Sequence, residues 1–168
     1  MNRLQQQIEK AAYSRFRLRL LNWSLLRLVP FNKPHGLKIT AVKENEITVT
    51  ALNIHKNRNH IKGIHACVLA TLCEYVSGLS LLSKLDPKQY RIILKHIHMT
   101  YHYQAKKPVS VTFGLTESDI TELILQPLSK EEKIFREFTV EAFDTDKNHI
   151  CTGKINWQIK AWKDVKTR

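Results

Sequence analysis

The sequence predicts an α+β fold in which a largely antiparallel sheet is wrapped around one long central helix. The helix is expected from about Ile64 to Leu82, a stretch whose only charged residue is Glu74. A helix so poor in charge is typically covered on most sides. The sheet is expected because apolar and polar residues alternate on both sides of this stretch, with the period of two that half-buried strands show. At 168 residues the chain is long enough for one domain with a core, and too short to expect two.

The first 33 residues predict a basic amphipathic helical segment ahead of a domain at residues 34–168. Apolar residues recur near helical spacing over residues 2–29, and Pro30 stops the pattern. In residues 1–33, seven Lys or Arg stand against the single acid Glu9. Such a helix most often packs on its own domain or on a second subunit, and peripheral contact with a membrane surface is the alternative.

The alternation of apolar and polar residues predicts six strands. The first two form a hairpin at residues 37–41 and 47–51, and four more follow the long helix. Residues 117–133 are ambiguous: Thr116 and Ser118 are candidate caps of a short helix that Pro127 ends, and a charged loop follows at residues 130–133. The four later strands are predicted at residues 96–103, 109–115, 135–143 and 150–162.

Composition narrows the classes of partner. The net charge of +12 favours an anionic partner, such as nucleic acid, anionic lipid, nucleotide phosphates or an acidic carrier protein. The sequence shows no secretory signal, and no apolar run approaches the ~20 residues of a membrane span. An odd number of cysteines (Cys67, Cys73 and Cys151) without metal-type spacing favours reduced thiols in a cytoplasmic protein.

Glu74 has two interpretations. At 100° per residue it lies roughly opposite the stripe of large apolar residues that faces the sheet. It is either a surface acid or a functional carboxylate with small neighbours that leave room for a ligand or another chain. His65 precedes it by nine residues and projects about half a turn away, so the two can cooperate only if a second subunit faces the first. The apolar stripe consists of Leu69, Leu72, Val76 and Leu79.

Around this helix the chain resembles the hotdog-fold acyl-CoA thioesterases, and most closely their phenylacetate-pathway thioesterase-like branch. That branch shows Asn-x-x-Gly-x-x-His-Gly-Gly, followed by an Asp or Glu seven residues after the second glycine. Aligned on the histidine, Lys62 occupies the first glycine position, and Ala66-Cys67 replaces the Gly-Gly pair. The resemblance rests on the string Asn59-x-x-x-Gly63-x-His65-Ala66 followed by Ala70-Thr71-Leu72-x-Glu74. It places Asn59, His65 and Glu74 on the asparagine, the histidine and the catalytic carboxylate of the family.

The resemblance implies a homodimer or homotetramer that hydrolyses an acyl-CoA or acyl-carrier-protein thioester between two central helices. Backbone N–H groups near Ala66 or Cys67 would polarise the thioester carbonyl, and Glu74 of the other subunit would activate water or attack directly. No cofactor is expected beyond the coenzyme A of the substrate. The implied catalytic set is Glu74, Asn59, His65, Ala66 and Gly63, and the candidates for the coenzyme A phosphates are Lys56, Arg58 and Lys62.

Other chemistry is less favoured. His96, His98 and His102 share one face of a predicted strand, but no local acid or cysteine accompanies them, so no metal is expected. Cys67 and Cys73 are expected to line the core rather than to act as nucleophiles. Two functional alternatives stay open: a non-catalytic hotdog protein that binds an acyl thioester or lipid, and a basic module for a membrane or, less favoured, for nucleic acid.

Overall fold

The computed structural model describes residues 3–165 and has the predicted α+β architecture. Two helices precede the sheet, and one 19-residue helix lies between its second and third strands. The elements are α1 (Arg3–Ala12), α2 (Arg15–Leu28), β1 (Lys38–Val42), β2 (Glu46–Ala51), α3 (Ala66–Lys84), β3 (Tyr90–Tyr101), β4 (Val109–Gly114), α4 (Glu117–Ile120), β5 (Lys133–Asp144) and β6 (His149–Ala161).

The six strands form one antiparallel sheet in the order β1-β2-β4-β5-β6-β3. Helix α3 packs against β2 to β6, so it is the central helix that the sequence predicts. By length and composition α3 is also the one helix in residues 3–165 that is long and apolar enough to cross a membrane, which corrects the expectation that no apolar run comes close. Its burial against the sheet identifies it as the core helix. The predicted stripe of Leu69, Leu72, Val76 and Leu79 is buried.

Two boundaries differ from the sequence expectation. Strand β3 begins at Tyr90 rather than near residue 96, because a bulge between Leu94 and His96 shifts the side-chain alternation and hides the first half of the strand. The ambiguous stretch after β4 is helical. Thr116 and Asp119 form a capping box that starts α4, and helical turns continue to Leu128.

The N-terminal segment is two helices, not the single helix that the spacing predicts. Ser14 lies in extended conformation (φ −151°, ψ 120°) and its hydroxyl accepts a hydrogen bond from the Arg17 N–H at 3.4 Å, so a new helix starts there. This break rotates α2 relative to α1. Phe16 and Leu28, two of the apolar residues at helical spacing, are 73% and 72% exposed. Phe16 lies about half a turn from the buried Leu25, whereas Leu28 lies on the buried side and is exposed at the end of α2.

Both N-terminal helices pack on the same core as the sheet. Buried residues of α1 and α2 belong to the hydrophobic cluster that includes α3. The Asn22 side chain also binds the outer edge of β1, since its Oδ1 accepts from the Ile39 N–H (2.8 Å) and its Nδ2 donates to the Ile39 carbonyl (2.9 Å). These bonds satisfy backbone groups of an edge strand that would otherwise face water. The buried residues are Ile8, Ala11, Leu21 and Leu25.

Replacing Gly114 with alanine is expected to destabilise the protein by about 2–3 kcal/mol. Gly114 pairs with Glu46, and a Cβ there would lie 1.8 Å from the Asn45 carbonyl oxygen, which is backbone and cannot rotate away. Chemical denaturation measures the loss. The control is Thr112→Ala on the same strand, for which a loss below about 1 kcal/mol is expected. Equal stability of the Gly114 variant and wild type would contradict this packing.

Candidate functional site

The loop before α3 is organised by Asn59. The Asn59 Oδ1 accepts hydrogen bonds from the backbone N–H groups of Ile61 (3.1 Å) and Gly63 (3.0 Å), and its own N–H donates to the Gly63 carbonyl at 2.8 Å. Lys62 lies between them with φ +62°. A left-handed backbone favours glycine, so Lys62 holds its side chain in a strained conformation. In the single chain Asn59 therefore shapes the loop.

Asn57, which the sequence analysis did not single out, fixes this loop to the domain. It is buried, and its side-chain Nδ2 donates to the carbonyls of Leu52 (2.8 Å) and His35 (2.9 Å). Its own carbonyl accepts the His65 N–H at 2.7 Å. Asn57 thereby positions the start of α3. An asparagine two residues before the motif carries no sequence signal of this role.

His65 is the N-cap of α3. The His65 Nδ1 accepts a hydrogen bond from the Cys67 N–H at 3.1 Å, so a neutral His65 carries its proton on Nε2. Of the two backbone donors expected to polarise a carbonyl, the Cys67 N–H is thus already bonded. The Ala66 N–H has no acceptor within residues 3–165 and lies at the positive end of the helix. Ala66 is therefore the better oxyanion donor.

A cleft of about 320 Å³ lies beside this donor. Asn59, Ala66 and Tyr101 line it, and the Tyr101 hydroxyl donates to the Ala66 carbonyl at 3.0 Å. Partial burial raises the pKa of Tyr101, so the hydroxyl stays protonated near neutral pH. No sequence pattern predicts Tyr101 at this position, because the contact joins the end of β3 to the start of α3.

Glu74 lies in a different pocket, of about 310 Å³, in the third turn of α3. The pocket is mostly apolar and is formed between α3, the sheet and the N-terminal segment. Within residues 3–165 the Glu74 carboxylate has no hydrogen-bond or ion-pair partner. The residues that line the Glu74 pocket include Leu25, Leu28, Gly78, Leu82, Ile92 and Trp157.

Burial of this carboxylate changes its acidity. Loss of hydration raises the pKa of Glu74 above its ordinary value of 4.5. The neighbouring Tyr75 is buried as well, and burial, with a smaller effect of the Glu74 charge, raises the pKa of Tyr75 to about 12. A half-buried carboxylate with a raised pKa and no partner is typical of a functional group and not of a solvated helix face.

The single chain does not bring the predicted catalytic set together. Asn59 and Ala66 line one cavity and Glu74 the other. Glu74 follows Ala66 by eight positions, which is about 12 Å along a helix. Gly63 is buried under Gln104, where an added Cβ would lie 3.2 Å from the Gln104 Cγ. Within the chain, these residues form a loop with an N–H donor at one end of α3 and a carboxylate two turns away.

The three basic residues next to the motif, Lys56, Arg58 and Lys62, differ in whether their side chains are available to bind a phosphate. All three are exposed. Arg58 is engaged by Asn53, whose side-chain oxygen accepts from the Arg58 Nε (2.8 Å) and whose carbonyl accepts from an Arg58 Nη (3.1 Å). Lys56 and Lys62 have no such partner within residues 3–165 and are the better candidates for phosphate contact.

The remaining polar candidates have ordinary contacts. No group of three or more metal-ligand side chains occurs among residues 3–165. His96 lies 3.6 Å from a Glu137 oxygen, and the His102 ring packs 4.3 Å from that of His149. Of the two cysteines expected to line the core, Cys73 does so, whereas Cys67 is exposed because it lies in the first turn of α3.

Replacing Lys62 with glycine is expected to stabilise the protein by about 0.5–1 kcal/mol, because it removes the left-handed strain of a residue with a Cβ. Chemical denaturation tests this. Lys62→Ala is the matched control, since it removes the same charge but keeps the strain. If both variants gain equally, charge and not backbone conformation limits stability here.

Comparison with known proteins identifies the family. A family model described as a domain of unknown function, DUF4442, matches residues 17–159. The chain belongs to the DUF4442 family. None of the curated proteins matches the chain. The matched DUF4442 region includes α3 and strands β1 to β5 in full, and most of α2. It contains all the residues that line the two cavities except Leu4.

Solved structures share this architecture at low identity. A Pseudomonas aeruginosa protein of unknown function, described as a probable thioesterase, has a TM-score of 0.77 and 18% identity, and the match covers 85% of this chain and 95% of that one. A Haemophilus influenzae thioesterase has a TM-score of 0.63 and 13% identity, over 83% and 90%. A mutant thioesterase of P. aeruginosa has 0.65 and 13%, over 86% and 94%.

These similarities confirm the hotdog fold expected from the sequence. At such identities the structures show the fold alone. The phenylacetate-pathway branch stays a prediction.

Proposed function

We propose that this DUF4442 protein hydrolyses acyl thioesters, with Glu74 as the catalytic carboxylate. The observation that carries the proposal is the state of Glu74, which lies half-buried in an apolar pocket, with a raised pKa and no partner within residues 3–165. A carboxylate held in this way is a competent general base or nucleophile. Leu25, Leu28 and Ile92 in the same pocket suit an apolar acyl chain.

In this proposal the site is shared between two subunits. The Ala66 N–H of one subunit polarises the thioester carbonyl, and Glu74 of the other activates water. Strand β3 ends the sheet, and its twelve residues have a free edge within the described chain, which suits a dimer in which two sheets join. Lys56 and Lys62 are exposed in the segment that leads to Ala66, and in this proposal they bind the phosphates of an acyl-CoA.

A non-catalytic acyl-thioester or lipid carrier is the second candidate. The observation that favours it is the hydrogen bond from the Cys67 N–H to His65 Nδ1, which leaves one backbone donor, not two, for a carbonyl oxygen. Oxyanion stabilisation by a single donor is weaker than by a pair.

Free-thiol release from short, long and aryl acyl-CoAs and from acyl-carrier-protein thioesters tests the proposal. Wild-type protein is compared with Glu74→Gln, purified identically, so that a contaminating hydrolase is recognised by its equal presence in both. Turnover that requires Glu74 supports the thioesterase. If wild type binds an acyl-CoA in a calorimetric titration without turning any over, the carrier function replaces it. If acyl-carrier-protein thioesters alone are turned over, the thioesterase stands with that substrate.

A further inference from the structure

Helix α2 is apolar on two opposite sides. Leu21 and Leu25 point into the core and are 1% and 4% exposed. On the other side Phe16, Leu20 and Trp23 are 73%, 41% and 53% exposed. At 100° per residue these three lie within an arc of about 60°. They form a solvent-facing apolar stripe, here named the outer α2 face, and no residue among 3–165 covers it.

Arginines surround this stripe. The Arg27 guanidinium stacks on the Trp23 ring, 4.0 Å from its centroid, and lies on the same side of the helix. From residue 10 to residue 43 the chain has eight Lys or Arg and no Asp or Glu. None of the α2 arginines pairs with a carboxylate in the described chain. The exposed arginines of α2 are Arg15, Arg17, Arg19 and Arg27.

The apolar surface continues past the end of α2. Phe31, in the turn that follows, is 65% exposed, and Leu28 is 72% exposed while also lining the Glu74 pocket. A molecule bound along α2 as far as Leu28 would therefore lie next to the Glu74 pocket, which Leu28 lines.

We propose that the outer α2 face binds the surface of an anionic lipid bilayer. The helix would lie in the plane of the interface, with Phe16, Leu20 and Trp23 entering the boundary between headgroups and acyl chains. Tryptophan is enriched at this depth because its ring is amphipathic. The surrounding arginines would contact lipid phosphates, which supplies the charge complementarity.

Other occupants fit this face less well. Duplex nucleic acid is bound through phosphates and base edges, and it offers no counterpart to three adjacent apolar side chains. In a two-fold contact between copies of this chain, the same arginines would face each other, with like-charge repulsion. An anionic bilayer offers acyl chains to the apolar stripe and phosphates to the arginines.

Co-sedimentation of the full chain with vesicles tests the proposal. We expect binding to phosphatidylcholine vesicles with about one third phosphatidylglycerol, little binding to pure phosphatidylcholine, and release at about 0.5 M salt. Phe16→Ser/Trp23→Ser should weaken binding at least about 30-fold, and Arg15→Gln/Arg19→Gln by about 10- to 30-fold. The control is Leu123→Ser/Phe135→Ser, which removes two apolar side chains that are 40% and 39% exposed and lie away from α2.

Each outcome decides the matter. Loss of binding in both α2 variants but not in the control supports the proposal, with thermal unfolding showing that all variants are folded. The proposal is overturned if wild type does not bind, or if the control loses binding equally. It is likewise overturned if the α2 variants change only the oligomer size in solution, or if the arginine variant loses binding to duplex DNA while vesicles never bind.

Discussion

Replacing Glu74 with glutamine is expected to lower kcat for thioester hydrolysis by at least about 100-fold, the scale of a lost general base. Glutamine keeps the size of the side chain in the pocket but can neither take a proton from water nor attack a carbonyl. Thiol release at saturating acyl-CoA measures the change. The control is Glu117→Gln, an exposed carboxylate bonded to Lys84 at 2.8 Å, for which unchanged kcat is expected. Equal turnover by wild type and Glu74→Gln would place the site elsewhere.

The same residue should set the acidic limb of the pH profile. Only the ionised carboxylate acts as base, so kcat/KM should fall as pH drops through the raised pKa of Glu74, above the ordinary value of 4.5. The folded state favours the neutral form, so folding takes up a proton. The contribution of Glu74 to the free energy of unfolding therefore falls as pH rises from the unfolded-state pKa through the raised one.

This pH dependence predicts how Glu74→Gln changes thermal stability, and the result distinguishes loss of a catalytic group from loss of the fold. At about pH 7.5 the Glu74→Gln variant should unfold at a higher temperature than wild type, because it no longer buries a charge without a partner. Below the unfolded-state pKa, at about pH 4, the difference should vanish. Thermal unfolding at both pH values measures it. A variant that is inactive and also less stable at neutral pH would show that Glu74 supports the fold instead.

The sheet and central helix could be predicted because their residues obey a simple period. Leu69, Leu72 and Val76 mark the helix, and a period of two marks β2, β4, β5 and β6. The alternation of apolar and polar residues no longer predicts a strand where the backbone is irregular, as at the bulge after Leu94. It also fails at Ser14, whose cap divides one apolar pattern into two helices with different orientations.

Part of the candidate site could also be predicted from the sequence, but from the position of one charge and not from periodicity. Glu74 is conspicuous because it is the one charged residue between Gly63 and Lys84. The pocket around it was not predictable, since its wall combines α3 with Leu25 and Leu28, about fifty residues earlier in the chain, and only tertiary packing brings them together. Asn57 and Tyr101 were missed similarly, because each acts through backbone groups of distant segments.

Replacing Ala66 with proline is expected to lower kcat by about 100- to 1,000-fold, the effect of deleting one oxyanion donor. Ala66 is the first residue of α3, a position where proline is favoured, and its N–H has no acceptor within residues 3–165. His65 before it has φ −63° and ψ 141°, the extended conformation that a following proline prefers. The helix should therefore remain intact while the donor is lost. Ala66→Ser, which keeps the N–H, is the control.

Mixing the two inactive variants then tests whether the site is shared. In a mixed dimer of Ala66→Pro and Glu74→Gln subunits, one of the two sites combines an intact Ala66 N–H with an intact Glu74 from the other subunit. Random pairing gives half mixed dimers, so about a quarter of wild-type activity should return on co-refolding. If each chain held its own complete site, every subunit of the mixture would lack one group and no activity would return. Recovery would thus show that the two turns of α3 between the donor and the carboxylate are bridged by dimerisation.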